Sequence, residues 1–281
     1  MKKTLSFILA IVMLASFTLA LASCSGGTTY IGAQAGTTGE FFINGDADWG
    51  FEGIAGTKAK AYSTGGLAVN DLKNGVIKYV IIDEQPAKQL VKSIKGVKVI
   101  DIPLTEEEYA FGLDKNQPEL LASINQILVE IKANGKLDEI IAKYATGEGI
   151  TPIASAEFDA DKLDKQLVVA TNAAFAPFEY KEGNLYAGID MEIIALIAAE
   201  LDLEVVIMDM EFDAVVTSVG KNGIDIAVSG LTVNDTRKEF VNFSETYYNA
   251  AQMLIVAESD TSFDECKTAD DVVAKLEELA K

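Results

Sequence analysis

The sequence predicts an α/β protein built as two lobes, each a mainly parallel sheet, with a cleft between them. Two observations carry this. From Tyr30 onward, short apolar runs of strand length alternate with helical stretches of about ten residues, the pattern of βαβ units. The alternation then occurs a second time, after a stretch at 145–166 whose periodicity is poor and which holds Gly147, Gly149 and Pro152.

In the first half, 30–34 reads as a strand, and Gly36-Thr37-Thr38-Gly39-Glu40 turns into a helix start. Residues 58–62 form a second strand, followed by a helix over 66–73. Val80-Ile81-Ile82 is a buried strand ending at Asp83, and Pro86 stands in the first turn of the next helix, where its missing N–H costs nothing. A strand over 97–100 completes the set. Two helices follow, 118–132 with Leu120, Ile124, Leu128 and Ile131 on one face, then 137–144. In the second half, strands are expected at 167–171, 204–208 and 224–228, with helices at 189–201, 212–219 and 269–279. Open sheets of this kind bind ligands at the carboxyl ends of their strands, so the polar loops there matter most.

The beginning of the chain reads as an export signal. Lys2 and Lys3 precede an uncharged apolar run over 5–21, short for a membrane span and ending in small residues. The sequence Leu21-Ala22-Ser23-Cys24 resembles a bacterial lipobox, which implies a signal peptide over 1–23, lipid on Cys24 and a short tether over 24–29. With Cys24 lipidated, Cys266 has no partner for a disulfide.

Composition narrows the function. The formal charge is −20, from 23 basic and 43 acidic residues, and such a surface repels nucleic acid. Histidine is absent, which excludes Ser-His-Asp and Cys-His catalysis and histidine-ligated metals. No metal cluster or cofactor motif is spelled out, and the Gly36 loop lacks the Gly-Lys-Ser/Thr ending of a phosphate loop.

The most informative segment is Ser229-Gly230-Leu231-Thr232-Val233-Asn234-Asp235-Thr236-Arg237. It follows a buried strand and begins a helix, with Thr232 and Asp235 spaced like a capping pair. Arg237 is the chain's one arginine, and its fork can grip a carboxylate with two parallel bonds. This segment, with Phe243-Ser244 and Tyr247-Tyr248 beyond it, resembles the amino-acid-binding branch of the periplasmic-type solute-binding proteins of ABC importers. So do Thr171-Asn172-Ala173-Ala174-Phe175-Ala176-Pro177-Phe178-Glu179, Gln34-Ala35-Gly36-Thr37-Thr38-Gly39-Glu40 and Val80-Ile81-Ile82-Asp83-Glu84-Gln85-Pro86-Ala87. The order departs from the family's: its opening motif stands at Thr171, behind loops that it places later. The resemblance therefore implies a circular permutation of the type II two-lobed fold. One lobe is then discontinuous, 30–108 plus 251–281, and the other is 109–250. Hinges fall near Glu108-Tyr109 and Ala250-Ala251, and 145–166 links the family's usual ends.

The resemblance also implies roles. Arg237 holds a ligand α-carboxylate, helped by Thr232 and a backbone N–H in the Thr37-Thr38 turn that Gln34 introduces. Asp83 accepts from the α-ammonium, with Gly230 and Ser229 nearby. Phe175 and Phe212 pack against the ligand side chain. Asn172 stands where relatives selecting cations often carry Asp, which suits a polar uncharged ligand: glutamine first, arginine second. The partners implied are a free L-amino acid, a membrane permease and, through Cys24, a bacterial cytoplasmic membrane on its extracellular or periplasmic face; the protein acts as a monomer with no cofactor. The alternative is a lyase or dehydratase on the same fold, resembling cyclohexadienyl dehydratase, with Glu40 or Glu179 as candidate acid.

Overall fold

The computed structural model describes residues 28–281; the expected signal peptide and Cys24 lie outside the described residues. The first lobe begins with β1 (Thr29–Gln34), α1 (Thr38–Asn44), β2 (Thr57–Tyr62) and α2 (Gly65–Lys73). It continues through β3 (Tyr79–Asp83), α3 (Glu84–Ser93) and β4 (Val97–Ile100). The chain then crosses on β5 (Glu107–Tyr109) and enters the second lobe as β6 (Gly112–Leu113). Helices α4 (Pro118–Ala133) and α5 (Lys136–Thr146) precede β7 (Gln166–Thr171). A small meander follows, β8 (Ala174–Phe175), β9 (Glu179–Glu182) and β10 (Leu185–Ala187). Then come α6 (Ile189–Glu200), β11 (Glu204–Asp209), α7 (Phe212–Ser218), β12 (Ile226–Ala227), α8 (Asp235–Lys238) and β13 (Asn242–Phe243). The chain returns on β14 (Tyr248–Ala250) into β15 (Gln252–Ala257) and ends in α9 (Ala269–Leu279).

Both sheets have one plan. The first runs β2-β1-β3-β15-β4 and the second β11-β7-β12-β6-β13. In each, the fourth strand is the one arriving from the other lobe, and it runs antiparallel to its neighbours. The two crossings pair with each other, Glu108 opposite Asn249 and Ala250 opposite Glu107, as a short antiparallel ribbon. This is the two-lobed periplasmic-binding-protein-like fold.

Strand alternation explains why helices cover both faces. On β3, Val80 and Ile82 pack with Ala68, Val69 and Leu72 of α2, while Tyr79 and Ile81 pack with Phe263 and with Val272 and Leu276 of α9. The second sheet repeats this: Leu167 and Val169 face α6, and Val168 and Ala170 face Val215 and Val216 of α7.

Three local expectations change. The strand expected over 224–228 is only Ile226–Ala227, because the Asp225 side chain takes over part of the ladder by accepting from Val168 N at 2.8 Å. The helix cap is Asn234, whose side chain accepts from Arg237 N; the Thr232 hydroxyl is committed elsewhere. The segment read as a linker is bonded to its lobe. Ile153 and Tyr186 exchange backbone bonds of 2.7 and 2.9 Å, and Ala156 N donates to Val205 O at 2.8 Å. Its periodicity is poor because it lies along an edge and buries no continuous face.

Candidate binding site

All eleven residues singled out in the sequence lie where the lobes meet. Gln34 ends β1, Thr37 caps α1, Thr38 opens it, and Asp83 ends β3. Across the cleft, Asn172 follows β7, Phe175 lies in β8, and Phe212 opens α7. Ser229, Gly230 and Thr232 follow β12, and Arg237 lies in α8. They enclose a space of about 10 Å³ lined by Thr37, Thr38, Asp83, Phe175, Phe212, Gly230, Thr232 and Arg237. Gln34, Asn172 and Ser229 stand behind that lining, joined by Gln34 Nε2 to Asn172 Oδ1 at 2.9 Å and by Asn172 N to Ser229 Oγ at 3.2 Å. The space is close to what a single water needs, so the lobes are closed on each other.

Gly230 makes the close approach possible. Its φ is +50°, and a Cβ there would lie 3.1 Å from the Phe175 ring and 3.2 Å from the Tyr109 ring. Both the backbone conformation and the space call for glycine.

Arg237 is 7% exposed. Nη1 donates to Thr232 O at 2.8 Å and Nη2 crosses the cleft to Gly36 O at 3.2 Å. Its guanidinium lies between two rings, 5.0 Å from Trp49 and 5.4 Å from Phe212. Burial lowers it to about 10, with the charges of Glu107 and Asp83 opposing, so it stays a cation at neutral pH. Asp83 is its counterpart in the first lobe. Burial and then the charge of Glu107 push its carboxyl up to about 7, against a hydrogen bond from the Tyr109 hydroxyl. The side chain of Asp83 makes no capping bond to α3, so it is free of the helix start it precedes.

Below Ser229 and Gly230 is a second polar layer. Ser229 Oγ donates to Glu179 Oε1 at 2.8 Å, Gly230 N donates to Asp190 Oδ2 at 3.0 Å, and Tyr247 Oη donates to Asp190 Oδ1 at 2.7 Å. Both acids are fully buried. Burial first, then the neighbouring Asp190, holds Glu179 well above the usual carboxylic range; burial pushes Asp190 up to about 7. Glu179 Oε2 is buried without a hydrogen-bond partner, and the neighbouring charge of Asp190 favours a proton on Glu179. Glu40, the other acid considered, accepts from Gly36 N at 2.7 Å and holds the loop.

Sequence reasoning missed two residues here. Glu107 sits in a run of three glutamates that reads as a solvated face, yet it is 8% exposed and bonded to both lobes. The available signal was period two: Glu107 and the buried Tyr109 share a face of β5. Trp49, the one tryptophan, lies in an irregular loop where no periodicity operates.

The closed pair of lobes, the paired crossings and the polar cleft define the class: a two-lobed periplasmic-binding-protein-like fold. Comparison with known proteins finds likenesses over parts of the chain. The family model of the bacterial extracellular solute-binding proteins, family 3, matches residues 167–280. The chain is 33% identical over 106 residues to the arginine-binding extracellular protein ArtP of Bacillus subtilis, covering 38% of this chain and 42% of that one. It is 31% identical over 90 residues to a probable histidine-binding protein of Neisseria gonorrhoeae, covering 31% and 33%. The chain thus spans about two fifths or less of the length of these relatives. Among solved structures, domain 1 of TmArgBP with arginine bound is 29% identical over 43% of this chain and 99% of that one, with a TM-score of 0.29. The ancestral amino-acid-binding protein AncCDT-1 covers 90% of this chain and 89% of its own at 12% identity and a TM-score of 0.46.

Proposed function

We propose that this chain is the binding protein of an amino-acid ABC importer, held by a lipid on Cys24 at the outer face of a bacterial cytoplasmic membrane or in the periplasm. It captures a free L-amino acid between its lobes and presents it to a membrane permease. One observation carries the reading: seven of the eight residues lining the enclosed space, all but Phe212, come from the four sequence motifs, with a buried cation, Arg237, and a buried acid, Asp83, from opposite lobes. Those are the two fixed charges that a zwitterion's carboxylate and ammonium require. Because the closed space holds no amino acid, capture needs the hinge at Glu107–Tyr109 and Tyr248–Ala250 to open. Phe175 and Phe212 then flank the ligand side chain, and the Gln34–Asn172 amide pair faces its polar end.

Arginine and glutamine are the ligands to try first, arginine because of the named relatives and glutamine because Asn172 brings no charge. Calorimetric titration of the purified chain with the twenty amino acids tests the reading. Binding of one or a few, lost in Arg237→Ala, supports it; heat from none of them refutes it.

The motif order supports a circular permutation. Ile31 and Ala33 of β1 pack in one cluster with Val272 and Leu276 of α9, and Ala55 N donates to Glu277 Oε1 at 3.2 Å, so the end of the chain lies against its first strands. A re-ordered chain, 167–281 followed through a short linker by 28–166, should fold and bind as the parent does. Failure to fold refutes the permutation.

A further inference from the structure

We infer that Glu107 is a latch between the lobes: its carboxylate holds the ligand-free protein closed by taking the hydroxyl of Thr232 that a ligand carboxylate would otherwise use. Glu107 lies on the first crossing strand, at the boundary of the two lobes. Its Oε2 accepts from Thr38 Oγ1 of the first lobe at 2.7 Å and from Thr232 Oγ1 of the second at 2.6 Å, and these two hydroxyls are 3.2 Å apart. Its Oε1 accepts from Thr105 Oγ1 at 2.6 Å and from Gln252 Nε2, on the returning strand, at 3.0 Å.

Four donors on two oxygens fill the positions of a carboxylate. Three of them, Thr38, Thr105 and Gln252, fix the acid on the side of the first lobe. The fourth is the single bond by which it holds the second. A threonine hydroxyl has one hydrogen, so Thr232 donates either to Glu107 or to a ligand. The closed space leaves no room for both arrangements at once. Latched closure and ligand capture are therefore competing states, and the latch sets how much ligand-free protein is open to receive one. The competition with ligand rests on the function proposed above; the latch itself does not.

The test uses the full chain without ligand. Trp49 stacks on Arg237 across the cleft, so tryptophan emission reports opening, and small-angle scattering reports the radius of gyration. Thr232→Val removes the bond from Glu107 to the second lobe, with the 3.2 Å approach of the Thr38 hydroxyl beside it, and leaves the other three donors on Glu107 in place. Glu107→Ala removes all four. Losing one charge-assisted hydrogen bond shifts the closed-to-open ratio by about tenfold or more. Both variants should show red-shifted emission and a larger radius, with an unchanged circular dichroism spectrum. If Glu107→Ala fails to fold, Thr232→Val alone decides. A folded Thr232→Val that keeps the parent's emission and radius overturns the latch, whatever Glu107→Ala does. Opening without any amino-acid binding leaves the latch standing and removes only the competition.

Discussion

Tyr109, on the first crossing strand, donates its hydroxyl hydrogen to Asp83 at the end of β3, so the hinge is tied directly to the acid that faces Arg237. That bond favours the ionised form of Asp83, but burial outweighs it and the group stands near 7. An incoming ammonium would pull the value down again. Binding should therefore release a proton below pH about 7, and affinity should rise with pH up to that value and then level off. The expected slope approaches about tenfold per pH unit on the acid side. Titrations in two buffers of different ionisation enthalpy measure the released proton directly. A flat affinity across this range contradicts the ammonium role of Asp83.

Glu179 and Asp190 predict a pH dependence of stability that needs no ligand. Asp190 stands at about 7 in the folded chain, above the roughly 3.9 of an exposed Asp. The folded protein therefore keeps a proton that the unfolded chain has lost. This stabilisation is complete below pH about 4 and is lost as pH rises through about 7. Glu179→Gln copies the protonated acid: its carbonyl can accept from Ser229 and its amide can donate to Asp190. It should fold with a loss of about 1 kcal/mol or less and a flatter fall in melting temperature between those limits. Glu179→Ala leaves buried partners unpaired and should cost about 1–3 kcal/mol. Equal effects of the two substitutions would show that Asp190 does not need a donor.

Much of this site was legible because its chemistry sits at strand ends. A buried strand followed by a short polar motif locates Asp83, Ser229 and Asn172 from sequence alone, since β3 and β7 are buried throughout and their apolar runs, Val80-Ile81-Ile82 and Leu167-Val168-Val169-Ala170, lead straight into polar residues. What was illegible depends on partners distant in sequence. Thr232 looked like a cap because Asp235 is three residues on, but its side chain turns to donate to Glu107, 125 residues away, and Asn234 accepts from the helix N–H instead. The brevity of β12 has the same origin: Asp225 serves the ladder with its side chain, which no local pattern shows.

Gly230→Ala tests how closely the aromatic rings must approach. The added methyl meets the Phe175 and Tyr109 rings at 3.1 and 3.2 Å, and alanine disfavours the positive φ. Strain and overpacking together should cost about 1–3 kcal/mol in a denaturant titration. Ligand affinity should fall as well, since Phe175 must move. A variant as stable as the parent would mean that the rings shift freely.

Arg237→Lys separates charge from shape. The guanidinium bonds carbonyls of both lobes, Thr232 O and Gly36 O, and lies between Trp49 and Phe212. A lysine keeps the cation but cannot present two planar donors along one edge or fill the space between two rings. If the arginine fork grips a ligand carboxylate with two bonds, the lysine variant should bind at least about tenfold more weakly, roughly 1.4 kcal/mol. Its ligand-free form should also lose the bond to Gly36 O, so its tryptophan emission should move toward that of an open cleft. Trp49→Phe serves as the companion, because it keeps an aromatic face on the guanidinium and both carbonyl bonds. It should leave affinity within about threefold of the parent, on the scale of exposed cation–π contacts. Weak binding by Arg237→Lys alone assigns the loss to the fork. Parent-like binding by Arg237→Lys would show that charge suffices and that the two-bond grip is absent.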